Sequence, residues 1–200
     1  MPRQMMRALA ALLVALFAVC TPLQAADKSE QKKTPSNPIA IFETNMGKIE
    51  IELWPEVAPV TVANFIDYLR DGFYDNTIIH RVVQRGIGVV QGGGFDRELK
   101  RKPTSPPIKL EAKESNRKYT IAMARSAVQD SATSQFFINT RDNTQLDPGR
   151  PGGGYAVFGK VTKGAGVVDQ IARMQTTNKG GAFATIPAVE VFIKRAYIKE

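Results

Sequence analysis

After Pro38 the chain alternates. In IAIFET and KIEIEL, Ile49, Ile51 and Leu53 fall on one face and Lys48, Glu50 and Glu52 on the other. A period of two belongs to a half-buried strand, and Asn45-Met46-Gly47 between the runs supplies a turn, so the pair reads as an antiparallel hairpin. The period then changes. In APVTVANFIDYLRDG, Val62, Phe65, Ile66 and Leu69 form one stripe at helical spacing, Pro59 suits the first turn and Gly72 the stop. Core packing is sufficient reason for that stripe. From Tyr74 to Phe158 the runs are short and strand-like: IIHRVV, GVVQGG, YTIAMAR, SQFFINT and YAVFGKV, separated by loops rich in Gly, Pro, Asp and Asn. GVVDQIARM reads as a second helix and VEVFIKRAYI as a closing strand. Many short strands with a helix near each end predict a mainly β fold, a closed barrel with its ends plugged by helices. No internal repeat and no domain boundary is visible after residue 38.

Before residue 38 the pattern is different. MPRQMMR is basic, ALAALLVALFAV is continuously apolar, and Ala25 and Ala26 are small. This is the order of a secretory signal peptide, expected over residues 1–25, and the apolar run is shorter than the about 20 residues a spanning helix needs. Residues 26–37 read as a flexible polar leader and 38–200 as one domain. Cys20 is the only cysteine. Val19 precedes it, where a lipidated cysteine would follow a small residue, so no stable membrane anchor is expected. Cleavage after Ala25 removes Cys20 and with it any disulfide, thiolate metal site or cysteine nucleophile.

The formal net charge is +8, and near +6 without Arg3 and Arg7. Much of the excess sits in Arg97, Lys100, Arg101 and Lys102. No aromatic residue is interleaved with that cluster, so it reads as a solvated charged face, and no nucleic-acid partner is expected.

The stretch HRVVQRGIGVVQGGGF, from His80 to Phe95, holds the single histidine and five of the 16 glycines. It is not a phosphate cradle: Gln91 stands where a dinucleotide fingerprint needs its third glycine, no helix pattern follows, and no Gly-Lys-Ser/Thr is present. One histidine excludes a multi-histidine metal site, and the carboxylates show no ligand spacing. No serine sits in a nucleophile-elbow sequence, which leaves His80 as a packed strand residue rather than a triad member. Arg81 remains, alternating with Val82 in a strand. From its type and place alone it could polarise an amide on the barrel's outer face, or make a surface salt bridge.

Seven pieces in order now matter together: TNMGKIEIEL, APVTVANF, GFYDNTIIHRV, VQGGGF, TIAMAR, DSATSQFFIN and GYAVFGKV. With them, the run from Pro38 to Glu200 resembles the cyclophilin family of peptidyl-prolyl cis-trans isomerases, most closely its bacterial periplasmic branch. The resemblance implies an eight-stranded antiparallel β-barrel capped by two α-helices. It implies that Arg81 is the catalytic group, that Gln91, Gln135, Phe137 and Ala124 contact the substrate, and that Leu146 forms a pocket wall. Tyr155 stands where many members have histidine and the periplasmic branch has tyrosine, and Val89 stands at a substrate-binding methionine position. It also implies a periplasmic, monomeric enzyme that assists the folding of exported proteins, takes proline-containing polypeptides as partners, and uses no cofactor or metal.

The departures from the family lie between Arg81 and Gln91, whose spacing is two residues longer than usual. Counting back from Gln91 puts Gly88 at a phenylalanine position of the proline pocket, which Ile87 could fill only by a change of register. Gln145 occupies an aromatic position on which cyclosporin-type ligands rely. Losing two aromatic walls would weaken substrate binding, since burying one large side chain contributes roughly 1.5–3 kcal/mol. The alternative to an active isomerase is therefore a peptide-binding, chaperone-like module of weak catalysis.

Overall fold

The computed structural model describes residues 37–152 and 154–199. The expected signal peptide and all but the last residue of the leader lie outside the described residues.

The predicted hairpin forms from β1 (Ile39–Thr44) and β2 (Gly47–Leu53), with Thr44 paired to Gly47 and Ile39 to Glu52. Its turn is closed by the Thr44 hydroxyl, which donates to the Gly47 carbonyl at 2.7 Å and accepts from the Met46 N–H at 3.0 Å. Ile49, Ile51 and Leu53 are buried, as their alternation requires. The first helix, α1, spans Pro59–Arg70 and buries Val62, Phe65 and Leu69 together with Thr61 and Tyr68. Ile66 is only partly buried, at the edge of the stripe. The free N–H groups of its first turn are met from a distant loop: the Glu111 carboxylate accepts from Val60 at 3.2 Å and from Thr61 at 2.8 Å. A carboxylate there satisfies orphan donors and also complements the positive end of the helix dipole.

The remaining strands are β3 (Thr77–Val83), β4 (Val89–Asp96), β5 (Thr120–Met123), β6 (Phe136–Asn139), β7 (Val157–Lys163) and, after α2 (Ala165–Ala172), a minor pair β8 (Thr176–Thr177) and β9 (Ile186–Pro187) and the closing strand β10 (Ile193–Ile198). Eight strands make one antiparallel sheet in the order β10-β1-β2-β7-β5-β6-β4-β3. Its two edges meet where Ile79 N–H donates to the Val191 carbonyl at 2.9 Å and Asn76 N–H to the Ile193 carbonyl at 2.8 Å. The sheet is thus a nearly closed barrel. Its core joins inward residues of the strands (Phe42, Ile51, Ile121, Phe136, Phe158) to Val62, Phe65 and Leu69 of α1 and Val168 of α2. Phe42, Phe65, Tyr74 and Phe136 are mutual ring neighbours at 5.1–6.2 Å between centroids. Among the described residues no helix is long and apolar enough to cross a membrane.

The short β8–β9 pair has no counterpart in the hydrophobic pattern. Two residues per strand are too few for an alternation, and the segment between them contributes instead by packing Phe183 on Phe95 at 4.8 Å.

Candidate active site

The register of four strands lays a row of side chains across the outside of the barrel. Arg81 pairs with Gln91, Gln91 with Phe137, and Phe137 with Ala122. Directly opposed residues of antiparallel strands project to the same side, so an arginine, a glutamine and a phenylalanine that are far apart in sequence become neighbours. Arg81 Nη1 donates to Gln91 Oε1 at 3.0 Å, and Gln91 Nε2 donates in turn to Gln135 Oε1 at 3.0 Å. Gln91 thereby holds one arm of the guanidinium and leaves other N–H donors of Arg81 for a ligand.

Beside this row stands an apolar cluster of Val89, Ala122, Phe137 and Val157, with Ile87, Ala124, Leu146 and Tyr155 packed against it. The Phe137 and Tyr155 rings meet edge to face at 5.4 Å. Together the polar row and the apolar cluster enclose a cavity of about 260 Å³. All eight residues assigned from the sequence line it: Arg81, Val89, Gln91, Ala124, Gln135, Phe137, Leu146 and Tyr155. Ile87, His80, Arg101, Arg125 and Ala182 line it as well.

His80 is packed, as expected, with 1% of its surface exposed and its ring edge against Phe95 at 4.8 Å. Burial lowers its pKa to about 4, the charges of Arg81 and Arg101 push the same way, and a hydrogen bond with Gln135 opposes them. The imidazole is therefore neutral at physiological pH, and the positive charge of the site resides on arginines.

The residues between the strands take a course that position counting missed. The extra length leaves the Arg81–Gln91 pairing intact and goes into the hairpin tip, residues 84–88. Gly88 does not face the cavity. A Cβ on it would meet Thr140 Oγ1 at 2.7 Å and the Arg141 side chain at 2.8 Å, so no phenylalanine could stand there. Ile87 provides the wall instead. Side-chain contacts tie the tip down. Gln84 Nε2 donates to the Ala172 and Met174 carbonyls at 2.8 and 2.9 Å, capping the end of α2. Asn143 grips Gly88 from both sides, its Oδ1 accepting the Gly88 N–H and its Nδ2 donating to the Gly88 carbonyl, each at 2.9 Å. Arg141 Nη2 donates to the Gln84 carbonyl at 3.0 Å. Gln145 is exposed and reaches the Gly86 carbonyl at 3.5 Å, so it acts on the tip and not on the cavity.

The glycines after Gln91 make room for this arrangement: a Cβ on Gly94 would lie 2.6 Å from the Gln135 side chain. On the other flank, Leu146 ends a 3-10 turn (Thr144–Leu146) and Tyr155 follows the loop after it. Asp147 anchors that loop by accepting from Ser115 Oγ at 2.8 Å and Asn116 N–H at 2.7 Å. Against the upward push of burial, those hydrogen bonds hold its carboxyl below the usual range.

Of the basic cluster, Arg97, Lys100 and Arg101 are exposed, as a solvated charged face requires, and Lys102 is partly buried. Arg97 pairs with Glu190 at 2.8 Å and stacks on Phe192, Lys100 pairs with Glu98, and Lys102 lies over the Phe73 ring and donates to the Phe73 carbonyl. Arg101 lines the cavity. Phe192 and Phe73, distant in sequence, hold Arg97 and Lys102, whereas the Phe95 ring next to Arg101 lies just ahead of the cluster.

Comparison with known proteins agrees with the geometry. Residues 39–197 match the family model described as cyclophilin type peptidyl-prolyl cis-trans isomerase/CLD. The chain is 45% identical over 185 residues to peptidyl-prolyl cis-trans isomerase A of Dickeya dadantii, an alignment that covers 92% of this chain and 96% of the relative. It is 43% identical to peptidyl-prolyl cis-trans isomerase B of Escherichia coli, over 80% of this chain and 98% of the relative. In fold it is similar to a crystal structure of a Cryptosporidium parvum cyclophilin type isomerase in the presence of the dipeptide Ala-Pro, with a TM-score of 0.66, 24% identity, and coverage of 81% of this chain and 99% of that one. With this barrel, this row and these relatives, the chain belongs to the cyclophilin-type peptidyl-prolyl cis-trans isomerases, a family that works without a cofactor.

Proposed function

We propose that the cavity isomerises Xaa-Pro bonds with Arg81 as the catalytic residue. Rotation about a prolyl amide is slow because it breaks N–C=O resonance, against a barrier of roughly 18–20 kcal/mol. In the twisted state the nitrogen turns pyramidal and gains a lone pair. A fixed guanidinium donates a hydrogen bond to that lone pair and gains little from the planar ground state, so it binds the transition state preferentially. The observation that carries this reading is the hydrogen bond from Arg81 to Gln91 within a cavity whose other wall is apolar. Phe137, Val89, Ile87 and Leu146 would hold the proline ring while the preceding carbonyl turns. Gln91, Gln135 and Ala124 would position the peptide backbone. Ile87 fills one of the two walls whose loss favoured a weakly catalytic binding module, so we infer turnover rather than binding alone.

The basic start, apolar run and small exit residues of 1–25 support export, and exported polypeptides rich in Xaa-Pro bonds are the proposed clients, met in the periplasm by domain 38–200. NMR exchange on a proline peptide tests the catalytic reading. The wild-type protein should broaden and merge the cis and trans resonances, and Arg81→Ala should lower kcat/KM about 10²–10³-fold, the scale of a lost preorganised donor. Equal rates for wild type and variant would sink the assignment.

A further inference from the structure

We infer that Arg101 is a specificity-determining residue that favours substrates with a carboxylate side chain immediately before the proline. The inference rests on the isomerase reading of the same cavity. Three arginines line that cavity, Arg81, Arg101 and Arg125, and no Asp or Glu does. The adjoining cavity, about 730 Å³ and sharing Arg125 and Tyr155 with the first, is likewise lined without a carboxylate. Isomerisation requires one fixed donor at the amide nitrogen, and Arg81 meets that need. The other two positive charges have no part in it.

They differ in what holds them. Arg125 is engaged by its own loop and by the loop that precedes β7. Its Nε donates to the Gly154 carbonyl and its Nη1 to the Ser126 carbonyl, each at 3.0 Å, and its guanidinium lies 4.8 Å from the Tyr155 ring centroid. Arg101 pairs by its backbone with Phe95, and its guanidinium lies 5.3 Å from that ring's centroid. Among the described residues no carboxylate pairs with Arg101. Carboxylates of the neighbouring loops are engaged elsewhere. Asp96 Oδ1 accepts from the Glu98 and Lys100 N–H groups, Glu98 pairs with Lys100, and Glu190 pairs with Arg97. A cation held over an aromatic face beside a substrate cavity, with no internal counter-charge, is placed to meet a charge brought by the ligand.

The strand direction says on which side of the proline that charge falls. β4 runs from Val89, in the apolar wall, past Gln91, which holds Arg81, to Phe95, which carries Arg101. The ring occupies the Val89 end and Arg81 meets the amide nitrogen, so the preceding residue extends toward Phe95. Four residues of strand are about 13 Å, a span that an arginine side chain reaching back and a glutamate reaching forward can close. Because Arg101 is exposed, the effect of the contact is modest and salt-dependent.

The test compares kcat/KM for three peptides that differ only in the residue before proline, Glu, Gln or Lys. For the wild type at low ionic strength we expect Glu to exceed Lys about three- to fivefold, the upper part of the range of one exposed ion pair, narrowing near 0.5 M salt as screening shortens to a few ångströms. Arg101→Gln should level the ratio and Arg101→Glu should invert it. Acceleration of all three peptides with equal Glu and Lys values, or with a ratio unchanged in both variants, overturns the role of Arg101 and leaves the isomerase reading standing. No acceleration of any peptide by the wild type overturns the isomerase reading and this inference with it.

Discussion

Arg81, Gln91 and Phe137 stand on three adjacent strands, whereas Ile87, Leu146 and Tyr155 stand on connections. The first group is placed by ladder hydrogen bonds that continue on both sides of it. The second is placed by a few side-chain tethers: Gln84 on the end of α2, Asn143 on Gly88, Asp147 on Ser115 and Asn116. The two groups absorb change differently. Slipping Arg81 against Gln91 by the added residues would part that pair and move Val82 and Val83 out of register with Val90 and Val89. The added residues are therefore expelled to the tip, where they alter the wall and spare the floor. In this molecule the row of Arg81, Gln91 and Phe137 is fixed by strand pairing, and the wall proposed to hold the proline is the adjustable part.

Acid should break that comparison most strongly, because the floor has a titrating group behind it. His80 is held neutral, its pKa lowered to about 4 from 6.5 mainly by burial. A depressed histidine pKa contributes stability that is present above the unfolded value of 6.5, where both states are neutral. That stability is lost as pH falls toward 4, because the unfolded chain takes up the proton first. The difference corresponds to about 3 kcal/mol. Unfolding free energies from urea titrations at pH 7, 5.5 and 4 should fall for the wild type by about that much more than for His80→Gln. Asp147 behaves separately. Its carboxyl is depressed below 3.8, so the stability it gives the wall is kept above the usual carboxylate range and lost only as pH drops below it. Parallel decline of wild type and His80→Gln would show that the floor is not the acid-sensitive region.

The next largest effect falls on the wall. Asn143 is fully buried and makes three side-chain hydrogen bonds, two to Gly88 and one to Asn139 Oδ1 at 2.7 Å. Asn143→Ala leaves the buried Gly88 N–H without a partner, a cost of about 2–3 kcal/mol. Amide exchange should quicken across residues 84–88 and stay slow from Ile79 to Val82. Equal loss of protection on both would mean that wall and floor open as one unit.

What could be seen in the sequence divides along the same line. Strand alternation in KIEIEL, the helical stripe of α1 and the ordered pieces around Arg81, Gln91 and Phe137 are readable because ladder and helix periods are local properties of the chain. All eight expected residues come together because sheet register carries such residues with it. Ile87 is readable only as the residue that a change of register could bring to the wall. Counting from Gln91 assigns its role to Gly88, since the direction of a residue in a hairpin tip depends on what the tip rests on, here Thr140, Arg141 and Asn143. Arg101 is hidden for a similar reason: its partner Phe95 is visible only once the chain has turned back to bridge it. The Glu111 cap on α1 lies 50 residues from Thr61 and leaves no local signature.

The smallest of these effects is also the most direct measure of the division between floor and wall. Ile87 is partly exposed, so truncation to alanine removes only a fraction of the roughly 1.5–3 kcal/mol that full burial of such a side chain contributes. A loss of about 1 kcal/mol in substrate binding should raise KM about fivefold. Arg81 and Gln91 keep their register in that variant, since no ladder hydrogen bond involves Ile87, and kcat should hold. That pattern, KM raised at constant kcat, marks the loss of contacts made equally in ground and transition states. A fall in kcat of the same size would mean that the isoleucine also steers the proline ring against Arg81. The wall would then belong to the catalytic machinery, and the extended hairpin would have altered the chemical step as well as the affinity.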